Sequence, residues 1–190
     1  MAGVAVLVPI KAFDDAKIRL APALTIEERS ALAKEMARHV ISVAGAPVTV
    51  VCDDADVARW AETEGAAVLL TPGRGLDGAV TAGVDHLRSA GFIQVVVAHA
   101  DLPLAHDLAS LADFDGITLV PDRRDDGTNV ICLPAGCGFA FSYGPGSFAR
   151  HLANATALGE EVRIVREPLL AWDVDVPADL AYRTRSERPA

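Results

Sequence analysis

Residues 4–20 read V-A-V-L-V-P-I-K-A-F-D-D-A-K-I-R-L, and the opening of this stretch decides the fold class. Val4 to Pro9 is a short apolar run ended by proline, without the apolar/polar alternation of a strand that keeps one face wet. Such a run belongs to a strand buried on both faces, as in a parallel sheet covered by helices. The chain then repeats the unit. Thr25-Ile26-Glu27-Glu28 places a hydroxyl three residues ahead of an acid, a capping box that opens a helix to about Ala44. Leu32, Met36, Val40 and Val43 recur within it at helical spacing. Val48 to Cys52 reads as a second strand, and Asp53 or Asp54 caps a helix through Glu64 that Gly65 stops. Ala67 to Leu70 is a third strand, about Leu76 to Ala90 a third helix, and Gln94 to Ala98 a fourth strand. This β-α-β-α-β-α-β order predicts an α/β domain with a mostly parallel central sheet flanked by helices, and ligands at the carboxyl ends of its strands.

Beyond residue 103 the pattern is less regular. Gly116 to Val120, Val130 to Leu133 and Val162 to Val165 read as strands, Ser147 to Leu158 as a helix, Pro177 to Arg183 as a short last helix, and 186–190 as a flexible tail. With 190 residues and no linker or repeat, residues 1–185 are expected to form one domain. Apolar residues make up 51% and the mean hydropathy is +0.28, enough to build a core without staples. A net charge of −9 argues against a nucleic-acid binder, although a basic pocket for a nucleotide can sit in an acidic protein. Cys52, Cys132 and Cys137 show no C-x-x-C spacing and read as small thiols in a reducing compartment. Neither a signal peptide nor a run approaching about 18–20 apolar residues is visible, so the expectation is a cytoplasmic protein with no membrane partner.

The unusual residues fall after the strands. The chain has only three lysines, and Lys11 and Lys17 join Arg19 directly after the first strand. Cations concentrated at that edge of an acidic protein suggest an anion site, against the plainer alternative of a solvated loop facing Asp14 and Asp15. Asp101, before Leu102-Pro103, can hold a divalent metal or simply cap the next segment. Asp173 and Asp175 stand at i and i+2 and share a side if the segment is extended. Magnesium takes oxygen ligands, commonly one or two carboxylates with substrate phosphates, so these three acids are candidate metal ligands. Gly127-Thr128-Asn129 and Gly144-Pro145-Gly146-Ser147 are turns that expose amides, the second at a helix start where anions are favoured. Thr71-Pro72-Gly73-Arg74-Gly75-Leu76-Asp77 lets a base and ribose approach the backbone at Gly75 and Leu76, with Asp77 as a partner for the nucleoside. It lacks the order of a P-loop. His99, His106 and His151 stand at the edge of these segments, and each taken alone reads as structural.

Six segments occur together: V-P-I-K-A-F-D-D-A-K-I-R-L, G-L-D-G-A-V at 75–80, A-D-L-P at 100–103, P-D-R-R-D-D-G-T-N at 121–129, G-P-G-S-F-A-R-H at 144–151 and D-V-D-V-P-A-D-L at 173–180. In this order they resemble the 2-phospholactate/phosphoenolpyruvate guanylyltransferases of coenzyme F-420 biosynthesis, over almost the whole chain. The resemblance implies a single-domain Rossmann-like GT-A nucleotidyltransferase fold. It implies attack by a phosphate oxygen of phosphoenolpyruvate on the α-phosphorus of GTP, giving enolpyruvoyl-2-diphospho-5'-guanosine and pyrophosphate, or the same chemistry on 2-phospho-L-lactate. It carries acceptor binding onto Thr128, Gly144 and Ser147, and metal binding onto Asp101 and the Asp173/Asp175 pair. Two departures stand out: Ile18 replaces a small hydroxyl residue and Asp77 replaces asparagine.

The partners implied are GTP, magnesium and a phosphorylated three-carbon acid, and a homodimer is left open. Lys11, Lys17 and Arg19 would neutralise the triphosphate, Lys17 from an exposed loop. Two other classes compete. A molybdenum-cofactor guanylyltransferase or sugar nucleotidyltransferase would carry a G-x-G-x-R-M-G first loop, which is missing. A nucleotide-binding scaffold with a decayed site would not need the acids and cations kept here.

Overall fold

The computed structural model describes residues 3–182. The expected end of the last helix at Arg183 and the 186–190 tail lie outside them. Seven strands form one sheet: β1 (Gly3–Pro9), β2 (Val48–Cys52), β3 (Ala67–Leu70), β4 (Phe92–Ala98), β5 (Ile117–Pro121), β6 (Thr128–Pro134) and β7 (Val162–Ile164). Four helices accompany them: α1 (Ile26–Ser42), α2 (Ala55–Thr63), α3 (Gly75–Ser89) and α4 (Ser147–Ala157). The spatial order is β3-β2-β1-β4-β6-β5-β7. The first four strands are mutually parallel; β6 runs antiparallel to both β4 and β5, and β7 is again parallel to β5. The reversal at β6 follows from the short 122–127 connection, since only antiparallel neighbours can be joined so briefly.

Each central strand divides its side chains between two apolar layers. Val6 and Val8 of β1, Val96 and Ala98 of β4, and Val130 and Cys132 of β6 pack on the layer covered by α1 and α2. Their neighbours Ala5, Leu7, Val95, Val97, Ile131 and Leu133 pack on the layer covered by α3 and α4. That is the period-two alternation of a sheet buried on both faces, and it is why the strands read as unbroken apolar runs. Gly83 brings α3 down onto the sheet: a Cβ there would lie 2.7 Å from Leu7 and 2.9 Å from Val51.

The start of α1 carries the expected capping box, with Thr25 accepting from the Glu28 amide and Glu28 accepting from the Thr25 amide. Four 3-10 turns complete the described residues, at Phe13–Asp15, Ile18–Leu20, Leu108–Asp113 and Pro177–Ala181. The last of them occupies the place of the expected final helix. A third apolar cluster ties Leu20 to Leu32 and Met36 of α1 and to Trp172 and Val174. It anchors the basic loop and the D-x-D segment to one support. No helix among the described residues is long and apolar enough to cross a membrane.

Candidate active site

The parallel order β3-β2-β1-β4 reverses its direction of growth at β1, and a crevice opens outside the carboxyl ends of β1 and β4. A cleft of about 360 Å³ lies there, lined by Lys11, Lys17 and Arg19 after β1, by His99 and Asp101 after β4, and by Asp175 and Leu76. The sheet thus delivers the basic loop and the first acid to one place. The third apolar cluster delivers the second, and the Val174 amide fixes it by donating to the Asp101 carbonyl at 3.2 Å.

Lys17 is the hub. Its ammonium is paired with Asp101 and lies 3.1 Å from Asp175, while Arg19 stands 3.6 Å from the other oxygen of Asp175. Its side chain is only 13% exposed, which corrects the expectation of an exposed loop lysine. The basic loop turns inward here because Phe13 and Leu20 are buried on either side. Lys17 itself takes a left-handed backbone, φ 55°, a conformation that costs a non-glycine residue roughly 1–2 kcal/mol. Burial alone would lower the Lys17 pKa, but Asp101 and Asp175 outweigh it and hold the ammonium above its ordinary range. Burial would likewise raise Asp101, yet Lys17 and His99 hold it below the ordinary carboxylate range. Asp173 has no such cation. Burial and the neighbouring Asp101 carboxylate push it up to about 6.

Oδ1 of Asp101 and Oδ1 of Asp173 are buried oxygens with no hydrogen-bond partner among the described residues. Among those residues, no three His, Cys, Asp or Glu side chains converge as a ready-made cage. Magnesium does not ask for one: it settles for one or two carboxylates completed by substrate phosphates and water. The unpartnered oxygens therefore fit an ion that arrives with its nucleotide.

Thr128, Gly144 and Ser147 are not part of this cleft; they form a second, adjoining cluster. Thr128 and Ser147 are each 2% exposed, whereas Gly144 is exposed with φ 100°. Asp126 laces the two turns together, accepting from Gly146 N at 3.1 Å through its carboxylate and from Phe148 N at 3.0 Å through its carbonyl. Asp77 joins this cluster too. Its carboxylate accepts from Tyr143 N at 2.8 Å, so its ordered partner is the 142–147 loop. Gly75, with φ 64°, is exposed at the start of α3. The two clusters meet where His99 packs on the Tyr143 ring, centroids 5.1 Å apart.

Two supporting residues were not singled out from the sequence. Asp179 is buried, accepts from the amides of Asp175 and Val176 at 2.9 Å each, and pairs with Arg123 at 2.6 Å. The Arg123 guanidinium in turn lies 3.9 Å over the Trp172 ring. Arg123 and Arg124 of the 122–126 loop thus spend their charge on the protein's own Asp179. Asn129 donates to the Leu170 carbonyl at 3.0 Å and ties β6 to the D-x-D segment. The aspartate four residues after the D-x-D, on a turn begun by Pro177, was the available signal for the first of these.

The family model "Guanylyl transferase CofC like" matches residues 4–182. A phosphoenolpyruvate guanylyltransferase of Sphaerobacter thermophilus is 37% identical over 184 residues, covering 92% of this chain and 89% of that protein. One of Chloroflexus aggregans is 33% identical, covering 98% and 100%. Among solved structures, a protein of Desulfovibrio desulfuricans G20 provisionally named a nucleotide-diphospho-sugar transferase superposes with a TM-score of 0.79 at 16% identity, covering all of this chain and 90% of the other. That likeness bears on the fold alone.

Proposed function

The chain belongs to the CofC-like guanylyl transferase family, and on that footing we propose that it is a phosphoenolpyruvate guanylyltransferase. It transfers the guanylyl group of GTP to the phosphate of phosphoenolpyruvate, gives enolpyruvoyl-2-diphospho-5'-guanosine, and releases pyrophosphate, a step of coenzyme F-420 biosynthesis. The observation that carries the reading is the Lys17 ammonium held between Asp101 and Asp175 in the crevice outside β1 and β4.

The chemistry asks little of the protein beyond placement and charge. The nucleophile is a phosphate oxygen that is already anionic, so no general base is required. Attack on the α-phosphorus concentrates negative charge on the bridging oxygen of the departing pyrophosphate. Fixed cations aimed there stabilise the transition state more than the ground state. Lys17 suits that task because its ammonium stays protonated at any working pH and is already held in place by two carboxylates. Lys11 and Arg19, more exposed on the same loop, neutralise the outer phosphates. Asp101, with Asp173 or Asp175, would hold magnesium, which when bound would supply charge neutralisation to the nucleotide's phosphates. Gly75 and Leu76 form the wall against which the nucleoside lies, and Asp77 holds that wall against the 142–147 loop.

Thr128, Gly144 and Ser147 receive the acceptor, whose phosphate and carboxylate need several donors and little bulk. Within the loop, the amides of Ser142, Tyr143, Gly146, Ser147 and Phe148 are all taken by protein acceptors. Among the described residues the Gly144 amide has no protein acceptor and is left to the acceptor acid, and Pro145 has no N–H.

The test is pyrophosphate release with a matrix of nucleoside triphosphates and phosphorylated three-carbon acids, with products weighed by mass spectrometry. The expected result is turnover with GTP and phosphoenolpyruvate together and with neither alone. A clear preference for 2-phospho-L-lactate would move the acceptor assignment, and release independent of any acceptor acid would overturn the function.

A further inference from the structure

His151 is fully buried one turn into α4 and touches both halves of the second cluster. Its Nε2 lies 2.9 Å from the backbone nitrogen of Ser142, and its Nδ1 lies 3.0 Å from the hydroxyl oxygen of Thr128. A backbone N–H can only donate, so Nε2 must carry a lone pair. A neutral imidazole has one N–H, and it must then sit on Nδ1. Nδ1–H donates to Thr128, whose hydroxyl oxygen is thereby the acceptor and whose own proton is free to point elsewhere. The geometry points to His151 as a positioning residue of the acceptor site, fixing the 142–147 loop through Ser142 and turning the Thr128 hydroxyl into an outward donor for the anionic acid. This rests on the acceptor assignment made above.

The surroundings keep the ring in that state. Tyr143 packs edge-on at 4.9 Å and Phe139 lies tilted at 5.6 Å, so the ring cannot flip without disturbing both. Burial pushes the His151 pKa down to about 4. Asp77 works against that shift, while Arg150 and His99 add to it. A second proton on Nε2 would point at the Ser142 N–H and break the link. A histidine kept only to fill space would not need two directional contacts to two different segments of one site. With this tautomer, the Thr128 O–H and the Gly144 N–H both remain available to the acceptor.

The test pairs a spectroscopic readout with a kinetic one. Long-range nitrogen–proton correlation spectra of protein labelled with nitrogen-15 histidine should show one buried histidine in the Nδ1–H tautomer. That signal should be absent in His151→Phe, which fills the space without either nitrogen. In steady-state assays, His151→Phe should raise the KM for phosphoenolpyruvate roughly tenfold or more, the expected scale for hydrogen bonds to a charged group. The KM for GTP should stay within about twofold. Thr128→Val should act in the same way, and the double variant should fall well short of the product of the two singles. An Nε2–H tautomer in the wild type would overturn the inference even if His151→Phe does not fold. So would equal rises in both KM values, or fully multiplicative singles. A wild type that ignores phosphoenolpyruvate would bring down the functional reading instead, and an unchanged KM in His151→Phe would bring down this inference alone.

Discussion

Replacing Lys17 by alanine separates what the ammonium does for the fold from what it does for the reaction. The side chain is 13% exposed and its partner Asp101 is 18% exposed, so removing the ammonium leaves a largely buried carboxylate without a counter-charge. Breaking a buried pair from one side costs about 3–5 kcal/mol. Asp175, 42% exposed, can turn to water, and its share is that of a surface pair, near zero. Alanine keeps a Cβ in the left-handed conformation and recovers none of that strain. The net expectation is a loss of about 3 kcal/mol, near the low end because the Asp101 site is not wholly dry. For a domain of this size that is a fall in Tm of about 6–12 °C.

Lys17→Ala/Asp101→Asn removes the stranded charge as well, and should regain most of that loss. Turnover should move differently. Both the single and the double variant should lose on the order of 10²-fold or more in kcat, since neither can neutralise the leaving pyrophosphate. The assay is a thermal melt of the three proteins in one buffer, followed by pyrophosphate release at saturating GTP and acceptor. A single variant that melts within about 1 °C of wild type, well inside that range, would refute the reasoning. So would a double variant no more stable than the single one.

Other outcomes are expected from the same structure. Asp101→Asn and Asp175→Asn should each lower turnover by about 10²-fold or more, and Asp101→Asn should also blunt its dependence on magnesium, as read by titrating the ion against a chelator; wild-type rates in excess chelator would refute the metal assignment. Gly83→Ala should lower stability by about 1–3 kcal/mol in a denaturant melt, because the added Cβ meets Leu7 and Val51 inside contact distance. The part of the stability that neutral His151 supplies should fall as the pH drops from 6.5 toward 4, while Asp173, pushed up to about 6 in the fold, shifts stability the other way. The unfolded chain takes up a proton near 6.5 that folded His151 refuses until about 4. Between pH 7 and 5.5 that loss should amount to about 1 kcal/mol after allowance for screening, read as the difference between wild type and His151→Phe in parallel melts.

The first half of the fold was legible because its strands are apolar throughout and its helices carry local stop and start signals. Thr25 and Glu28 announce α1 without help from the rest of the chain, and Gly65 closes α2. The direction of β6 was not legible. Val130 to Leu133 reads the same whether its neighbours run with it or against it; only the shortness of the 122–127 connection bears on that choice. The 3-10 turns at Ile18–Leu20 and Leu108–Asp113 were invisible for a related reason. They are too short to show a period, and they hold because Leu20, Leu108 and Leu111 are buried by distant parts of the chain.

The site shows the same division more sharply. Lys17, Asp101 and Asp175 could be named from residue type and from their place after strands. Their convergence could not be, because 84 and 158 residues separate Lys17 from its two partners. The residues that hold the convergence are of a kind that composition hides. Asp179 sits on a turn that reads as an ordinary cap, yet it receives two amides of the D-x-D segment and the Arg123 guanidinium. A carboxylate spent in this way cannot serve as a ligand. It fixes the backbone of Asp175, whose carboxylate meets Lys17 at the cleft. The division of labour among the acids of D-V-D-V-P-A-D therefore follows from who satisfies them: Asp179 by amides and arginines, Asp175 by Lys17 and Arg19, and Asp173 with an oxygen left unsatisfied. Placement at the crevice makes Asp175 a candidate ligand, and the unpartnered Oδ1 gives Asp173 an equal claim by a different route. Asp175→Asn and Asp173→Asn compared in one magnesium titration decide between them. The variant that shifts the apparent metal affinity identifies the ligand, whereas a variant that lowers turnover at unchanged affinity has lost only the partner of Lys17.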